Sequence, residues 1–281
     1  MPVVEELAAP PRLGPLFRGA VMRTSVGATL PDTELVLRGV RVDRAHLAAY
    51  ARVCGFRLRD ELPATYPHVL AFPLAMSLMA RPAFPLPLLG LVHVANRIEV
   101  RRAVRASDAL DFRVLAEQLR PHDRGTQVDL VATALVDEEP VWQGRSTYLH
   151  RAKSSGSPST PQTPAADLAP PAAVLRVERR VGRDYAAVSG DRNPIHTSRV
   201  LARAFGFRRT IAHGMWSKAR CLAALEGRLP DAYAVDVSFK LPILLPATVA
   251  LRTERDGTGW RFDLRDAKSA KPHLTGTLTE G

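Results

Sequence analysis

One short phrase occurs twice in this chain, at matching places in two similar runs. "YARVCG" spans Tyr50–Gly55 and "YAAVSG" spans Tyr185–Gly190, and the two align without a gap. They close the longer passages "ELVLRGVRVDRAHLAAYARVCGF" and "AVLRVERRVGRDYAAVSGD". In each passage a strand-like alternation gives way to an amphipathic helical pattern. A glycine just past the last helical residue is a C-terminal stop, because it accepts positive φ at little cost. The parallel continues downstream. "HVLAFPLAMSLMA" and "TIAHGMWSKARCLAAL" both suit a buried core helix. Four period-two runs follow in each copy: "HVANRIEV", "ALDFRVLAEQL", "QVDLVATALV" and "VWQGRSTYLH" in the first, then "YAVDVSFKL", "TVALRTER", "WRFDLRDA" and "HLTGTLTE" in the second. They predict a four-stranded antiparallel meander per copy. An internal duplication of this kind fixes an α+β class, with one apolar helix against a curved antiparallel sheet in each half.

Between the copies, "AKSSGSPSTPQTPAADLAPPAA" (152–173) is rich in small residues and proline and has no apolar period. It cannot bury enough surface to offset its ordering entropy, so it reads as a linker. The expected organisation is 1–151 for the first unit, 152–173 for the linker and 174–281 for the second unit.

Charge and apolar runs narrow the function classes. The formal net charge is +11, and only Lys153, Lys218, Lys240, Lys268 and Lys271 among the 39 basic residues are lysine. The arginines are scattered and aromatics make up 6% of the chain. A nucleic-acid surface would concentrate its charge and interleave aromatics with it, so no nucleic-acid partner is expected. An anionic small ligand or an acidic carrier protein suits the charge better. The most membrane-like run, Val69–Ala80, contains Pro73 and is too short for a span of about 20 residues. Glu5 and Glu6 oppose a secretory signal, and Cys54 and Cys221 lack metal or redox spacing. These features predict a cytoplasmic protein with buried thiols and no membrane partner.

Chemistry concentrates in "SGDRNPIHTSRVLARAFGFRRTIAHGMW", Ser189–Trp216. Gly190, Asn193 and Pro194 explain a helix–turn–helix junction: a stop, a cap and a first helical residue. They do not explain Asp191, His196 or the second polar knot, "AHG", at His213–Gly214. Asp191 and His196 lie five positions apart across a tight turn, so both side chains can reach one point. A carboxylate and an imidazole there make an acid–base pair working near neutrality. Gly214 falls at the expected N-terminus of the second core helix, where backbone N–H groups lack internal partners. Without a side chain it lets a carbonyl oxygen approach, which is oxyanion geometry. The set suits proton abstraction α to a carbonyl, with loss of a β-hydroxyl as water. No nucleophile motif is present. Asp191, His196 and His213 match no usual metal spacing, so neither a metal nor a cofactor is expected.

"YAAVSGDRNPIH", followed by "AFGF" and "IAHGMW", resembles the MaoC-like (R)-specific enoyl-CoA hydratase and 3-hydroxyacyl-thioester dehydratase family. The two-copy layout is similar to its double-hotdog members. The resemblance implies that each half is a hotdog, a long helix wrapped by an antiparallel sheet. It also implies that Asp191 and His196 hold the water added to or lost from the β-carbon. Gly214 N–H would then polarise the thioester carbonyl, and Asn193 and His213 would support the loop. Ser198 departs from the aspartate common in the family and is expected to be structural. The implied reaction interconverts an (R)-3-hydroxyacyl thioester and a trans-2-enoyl thioester of coenzyme A or acyl carrier protein. The alternative is a non-catalytic acyl-thioester-binding or assembly subunit on the same fold. A tandem chain could act as a monomer or as a homodimer.

The first copy is degenerate. Its phrase puts Phe56 opposite Asp191, and no "NPIH" follows. Alignment by eye makes its loop six residues shorter, with Phe72 opposite His213 and Pro73 opposite Gly214. Proline has no N–H to offer. The first half is therefore expected to be silent, bracing the sheet and shaping the acyl pocket; Phe72, Leu74, Met76 and Met79 suit pocket lining and plain helix core equally.

Overall fold

The two copies fold into matching units joined edge to edge. The computed structural model describes residues 2–16, 29–88, 90–151 and 170–281. In the first unit, strand β1 (Val3–Leu7) lies parallel to β2 (Thr33–Arg41). A helix at Arg44–Cys54 and a core helix at Tyr66–Met79 follow. Then come β3 (Leu91–Val100), β4 (Ala109–His122), β5 (Gly125–Val136) and β6 (Glu139–Arg151). The second unit runs β7 (Ala173–Val177), helices at Val181–Ser189, Pro194–Thr197, Arg199–Ala204 and Gly214–Ala224, then β8 (Tyr233–Phe239), β9 (Ala247–Asp256), β10 (Gly259–Asp266) and β11 (Pro272–Glu280). Most of the expected linker, 152–169, lies outside the described residues. Its last residue, Ala173, already opens β7.

All the named strands form one sheet in the order β1-β2-β4-β5-β6-β3-β8-β11-β10-β9-β7. Apart from β1, the order reads the same from either end once the copies are exchanged. The first strand of each unit pairs with the third, and the second lies beside the fifth. The meander is thus three strands long, not four. β3 and β8 leave it, pair with the last strand of their own unit, and meet each other antiparallel, with Asn96 opposite Val237. This displacement makes two hotdogs into one double hotdog. A single apolar core crosses the seam and includes Tyr50, Tyr66, Trp142, Tyr185 and Trp216.

The repeated phrase behaves as its sequence predicts. Both helices stop at glycines in the left-handed region, Gly55 at φ 78° and Gly190 at φ 74°. Asp43 caps the first of these helices by accepting from the N–H groups of Ala45 and His46. Each unit then bonds the other at equivalent carbonyls, through Trp216 of the second core helix and His46 of the Arg44–Cys54 helix. Trp216 Nε1 donates to Val53 O at 3.1 Å, and His46 Nε2 donates to Val188 O at 2.9 Å while its Nδ1 accepts from Tyr66 Oη.

Backbone pairing corrects the alignment of the two loops. Leu62 N–H bonds Val104 O where Ala212 N–H bonds Ile243 O, and the isolated bridges Glu61–Arg105 and Ile211–Leu244 sit beside them. Leu62 therefore matches Ala212, Pro63 matches His213 and Ala64 matches Gly214. Phe72 and Pro73 lie nine positions further on, inside the core helix, and are not the counterparts expected from sequence. The Tyr50–Leu62 loop spans 12 positions against 27 for Tyr185–Ala212, so the first loop is 15 residues shorter, not six. Both segments are apolar, so their sequences also match out of register, and pairing with a distant segment carries no local signal. The first unit's counterpart of the helix start is filled. Trp142 Nε1 donates to Ala64 O at 2.7 Å, and Tyr50 Oη donates to Thr65 Oγ1 at 2.7 Å.

Candidate active site

The loop that the second unit has gained carries the polar cluster. Gly190 ends the preceding helix and turns the chain, so that Asp191 follows immediately. Asp191 Oδ1 accepts the N–H of Asn193 at 3.1 Å, and Asn193 Oδ1 accepts the N–H of Ile195 at 3.3 Å, capping the short helix begun by Pro194. These are the turn bonds expected of Asp and Asn, and they aim His196 inward. Ile211 N–H bonds Ile195 O, and His196 Nδ1 donates to Ile211 O at 2.9 Å. A carbonyl can only accept, so Nδ1 carries the proton and Nε2 keeps its lone pair. Burial pushes the His196 pKa below its ordinary value against the opposing pull of Asp191, leaving the ring neutral.

His213 lies face to face with His196, with ring centroids 3.6 Å apart. Its Nε2 donates to Asp191 O at 2.9 Å and lies 3.8 Å from Asp191 Oδ2. Burial and the neighbouring His196 hold its pKa well below the ordinary value. His213 thus pins the backbone that carries Asp191. Side-chain donor atoms of Asp191, His196 and His213 all lie within 4.8 Å of one another. His196 Nδ1 and His213 Nε2 are both committed to backbone carbonyls, which leaves one nitrogen of each ring and the Asp191 carboxylate as the remaining acceptors.

Gly214 begins the second core helix as expected. A Cβ placed there would come within 3.1 Å of the Phe239 ring, tighter than an ordinary contact. Its N–H group and the next are the free donors of that terminus. Ser198 caps the Arg199–Ala204 helix, consistent with the structural part expected of it.

Two residues at the site were not read from the sequence. Gly182 sits on the first helix of the second unit, where a Cβ would fall 2.2 Å from His196 O. The only sequence signal for it was a glycine inside a helix, normally unfavourable. Lys218 is fully buried one turn after Gly214 and was visible only as one of five lysines.

The first unit reaches the same space. Phe72 Cδ1 lies 4.0 Å from where a Gly190 Cβ would stand, and Leu13 of the N-terminal arm packs on the same glycine. From Phe72 the ring contacts run through His68 and His93 to Phe239, which backs Gly214. Tyr148 stacks on His93 with centroids 4.7 Å apart. Leu74, Met76 and Met79, which by sequence suit either pocket lining or helix core, are buried in the core.

An aspartate–histidine pair beside an open helix N-terminus, on a double hotdog, defines a thioester hydro-lyase of the hotdog class. The MaoC like domain matches residues 168–276. The 3-hydroxyacyl-thioester dehydratase X of Mycobacterium tuberculosis is 43% identical over 251 residues, covering 89% of this chain and 90% of that one. This chain belongs to the MaoC-like dehydratase family. The crystal structure of HtdX from Mycobacterium tuberculosis superposes with a TM-score of 0.80 at 40% identity, covering 88% of this chain and 100% of that chain. A more distant Mycobacterium tuberculosis protein, described as having a double hotdog fold, shares that fold at 14% identity and a TM-score of 0.52, with 86% of this chain and 94% of that one covered.

Cys54 and Cys221 are buried free thiols, as expected, and burial pushes both to about 12. Among the described residues no helix is long and apolar enough to cross a membrane.

Proposed function

We propose that this protein is a 3-hydroxyacyl-thioester dehydratase, also able to run as an enoyl-thioester hydratase, with one active site in residues 174–281. The observation that carries the reading is the neutral His196, with Nε2 free, clustered with the half-buried Asp191 carboxylate next to the Gly214 helix terminus. Two acceptors there suit the two O–H bonds of a single water. In hydration, the water oxygen bonds the β-carbon of a trans-2-enoyl thioester. Its proton passes through the pair to the α-carbon as the enolate collapses. Dehydration reverses these steps: the α-proton leaves, the C–O bond at the β-carbon breaks, and water departs. The Gly214 N–H donates to the thioester oxygen as negative charge builds there, an effect worth roughly 10²–10³-fold per donor. Asn193 holds the loop and His213 holds the Asp191 backbone.

The first unit takes no catalytic part in this reading. It lacks the 15-residue insertion with its aspartate and histidine, and Ala64 and Trp142 fill the matching place. Its contribution is the wall formed by Phe72, His68 and His93. The substrate is a coenzyme A or acyl-carrier-protein thioester, since both carriers are anionic and suit a +11 chain in the cytoplasm. The β3–β8 pairing already provides the continuous sheet that two single hotdogs make together, so a monomer has a complete site; homodimers would form by another surface.

The test is hydration of crotonyl-CoA and longer trans-2-enoyl-CoA thioesters, followed by loss of enoyl absorbance. Asp191→Asn and His196→Ala should each remove activity by at least about 10²-fold. Absence of turnover by the wild type at every chain length would refute the reading. Retention of the cellular role by both variants would favour an acyl-binding subunit instead.

A further inference from the structure

Lys218 has no part in the chemistry above, yet its ammonium is the most completely enclosed charge in the described residues that bear on the site. The side chain is 0% exposed. Nζ lies 2.6 Å from Asn96 Oδ1, 3.0 Å from Val235 O and 3.2 Å from Asn96 O. All three partners accept here. The Asn96 amide is oriented by donation from its own Nδ2 to Ser146 Oγ and Arg145 O, which fixes Oδ1 toward the lysine. Three acceptors match the three protons of an ammonium, whereas a neutral amine would turn its lone pair on one of them. Burial lowers the lysine pKa strongly, and Arg97 adds to this while Asp236 opposes it. Arg97 and Asp236 pair with each other on the other face of the sheet, so no carboxylate bonds Lys218.

An enclosed charge of this kind is a poor way to gain stability, since an apolar side chain of similar volume commonly does as well or better. Its place in the fold offers another use. Lys218 is one turn after Gly214 on the same core helix, so its charge belongs to the end of the helix that presents the free N–H groups. Its charge also bears on the wall of the pocket, where it helps keep His68 and His93 neutral. Field and helix dipole have the same sign at that end.

We propose that Lys218 is a positioning residue whose buried positive charge reinforces the Gly214 N–H in polarising the thioester carbonyl, while its three bonds fix the helix start to the β3–β8 seam. This rests on the dehydratase reading. The carbonyl never touches Lys218; the charge acts through the helix terminus and the low-dielectric space around it.

The experiment uses the full chain with a chromophoric, non-turning enoyl thioester, 4-(dimethylamino)cinnamoyl-CoA, whose absorbance moves to the red when its carbonyl is polarised. The wild type should shift the band on binding. Lys218→Met and Lys218→Gln should bind the probe within about threefold of wild type, lose at least half of the shift, and lower kcat for crotonyl-CoA at least tenfold with KM little changed. Asn96→Asp keeps the lysine but sets a carboxylate against it, and should reduce the shift in the same direction even if the other two variants fold poorly. Full red shift and full kcat in whichever of the three variants fold would overturn the proposal. A loss of kcat with the shift intact would overturn it too, leaving only a structural lock. A wild type that neither shifts the probe nor hydrates crotonyl-CoA would instead refute the dehydratase reading itself.

Discussion

Gly182→Ala is a single methyl added outside the reacting groups, and its cost can be worked from geometry. The new Cβ would stand 2.2 Å from the carbonyl oxygen of His196 and 3.2 Å from the carbon. Ordinary contact begins near 3.4 Å, so the helix or the His196 turn must move by about 1 Å. The helix is held by Tyr185 in the core and by the cap at Gly190, whereas the Pro194–Thr197 turn is one short helix on a loop. The turn should yield. His196 would shift against its bond to Ile211 O and against the carboxylate of Asp191. A displacement of about 1 Å at a reacting group can cost about 10²-fold in rate, and overpacking of this kind costs about 1–3 kcal/mol of stability. The expected outcome is kcat for crotonyl-CoA reduced about a hundredfold with cooperative unfolding retained at a lower Tm. The measurements are initial rates by enoyl absorbance and thermal melts by circular dichroism. A variant with wild-type kcat and unchanged Tm would refute the argument that this glycine sets the position of His196.

Three further outcomes follow from the same contacts. Gly214→Ala brings a methyl to 3.1 Å from Phe239, so kcat should fall more than Tm, as read by rates and melts side by side. Trp142→Phe leaves Ala64 O buried without its donor and should lower stability by about 1–3 kcal/mol in urea unfolding while the activity of the folded fraction stays near wild type. His196, His213 and His93 have depressed pKa values, and His68 is pushed down to about 4 by burial and Lys218. The unfolded chain takes up these protons near 6.5 and the folded chain resists, so stability is full above that value and is lost as pH falls from about 6.5 toward 4. Melting temperatures recorded at pH 8, 6 and 4.5 check the sign; an unchanged Tm down to pH 4.5 would contradict it.

Features with local causes are legible in the chain alone. Helix stops at Gly55 and Gly190 follow from the residue that tolerates φ near 75°. The cap at Asn193 and the turn through Pro194 follow from side chains bonding their own backbone two residues on. Period-two alternation gave the eight later strands, and the duplication gave two like units. Asp191, His196, His213 and Gly214 also share one continuous motif, so their grouping is legible in the chain itself. The remaining features depend on contacts between distant segments. β3 and β8 leave their meanders to meet at the seam because each needs a partner edge, which no run of residues announces. The true counterparts of His213 and Gly214, Pro63 and Ala64, emerge only from pairing with the chain near Val104 and Ile243. Gly182 matters because a carbonyl fourteen residues away passes over it, and Lys218 because three acceptors, from two units, enclose it. Alternation and caps are written residue by residue; close approach and enclosure belong to pairs of surfaces, and those exist only once the chain has folded.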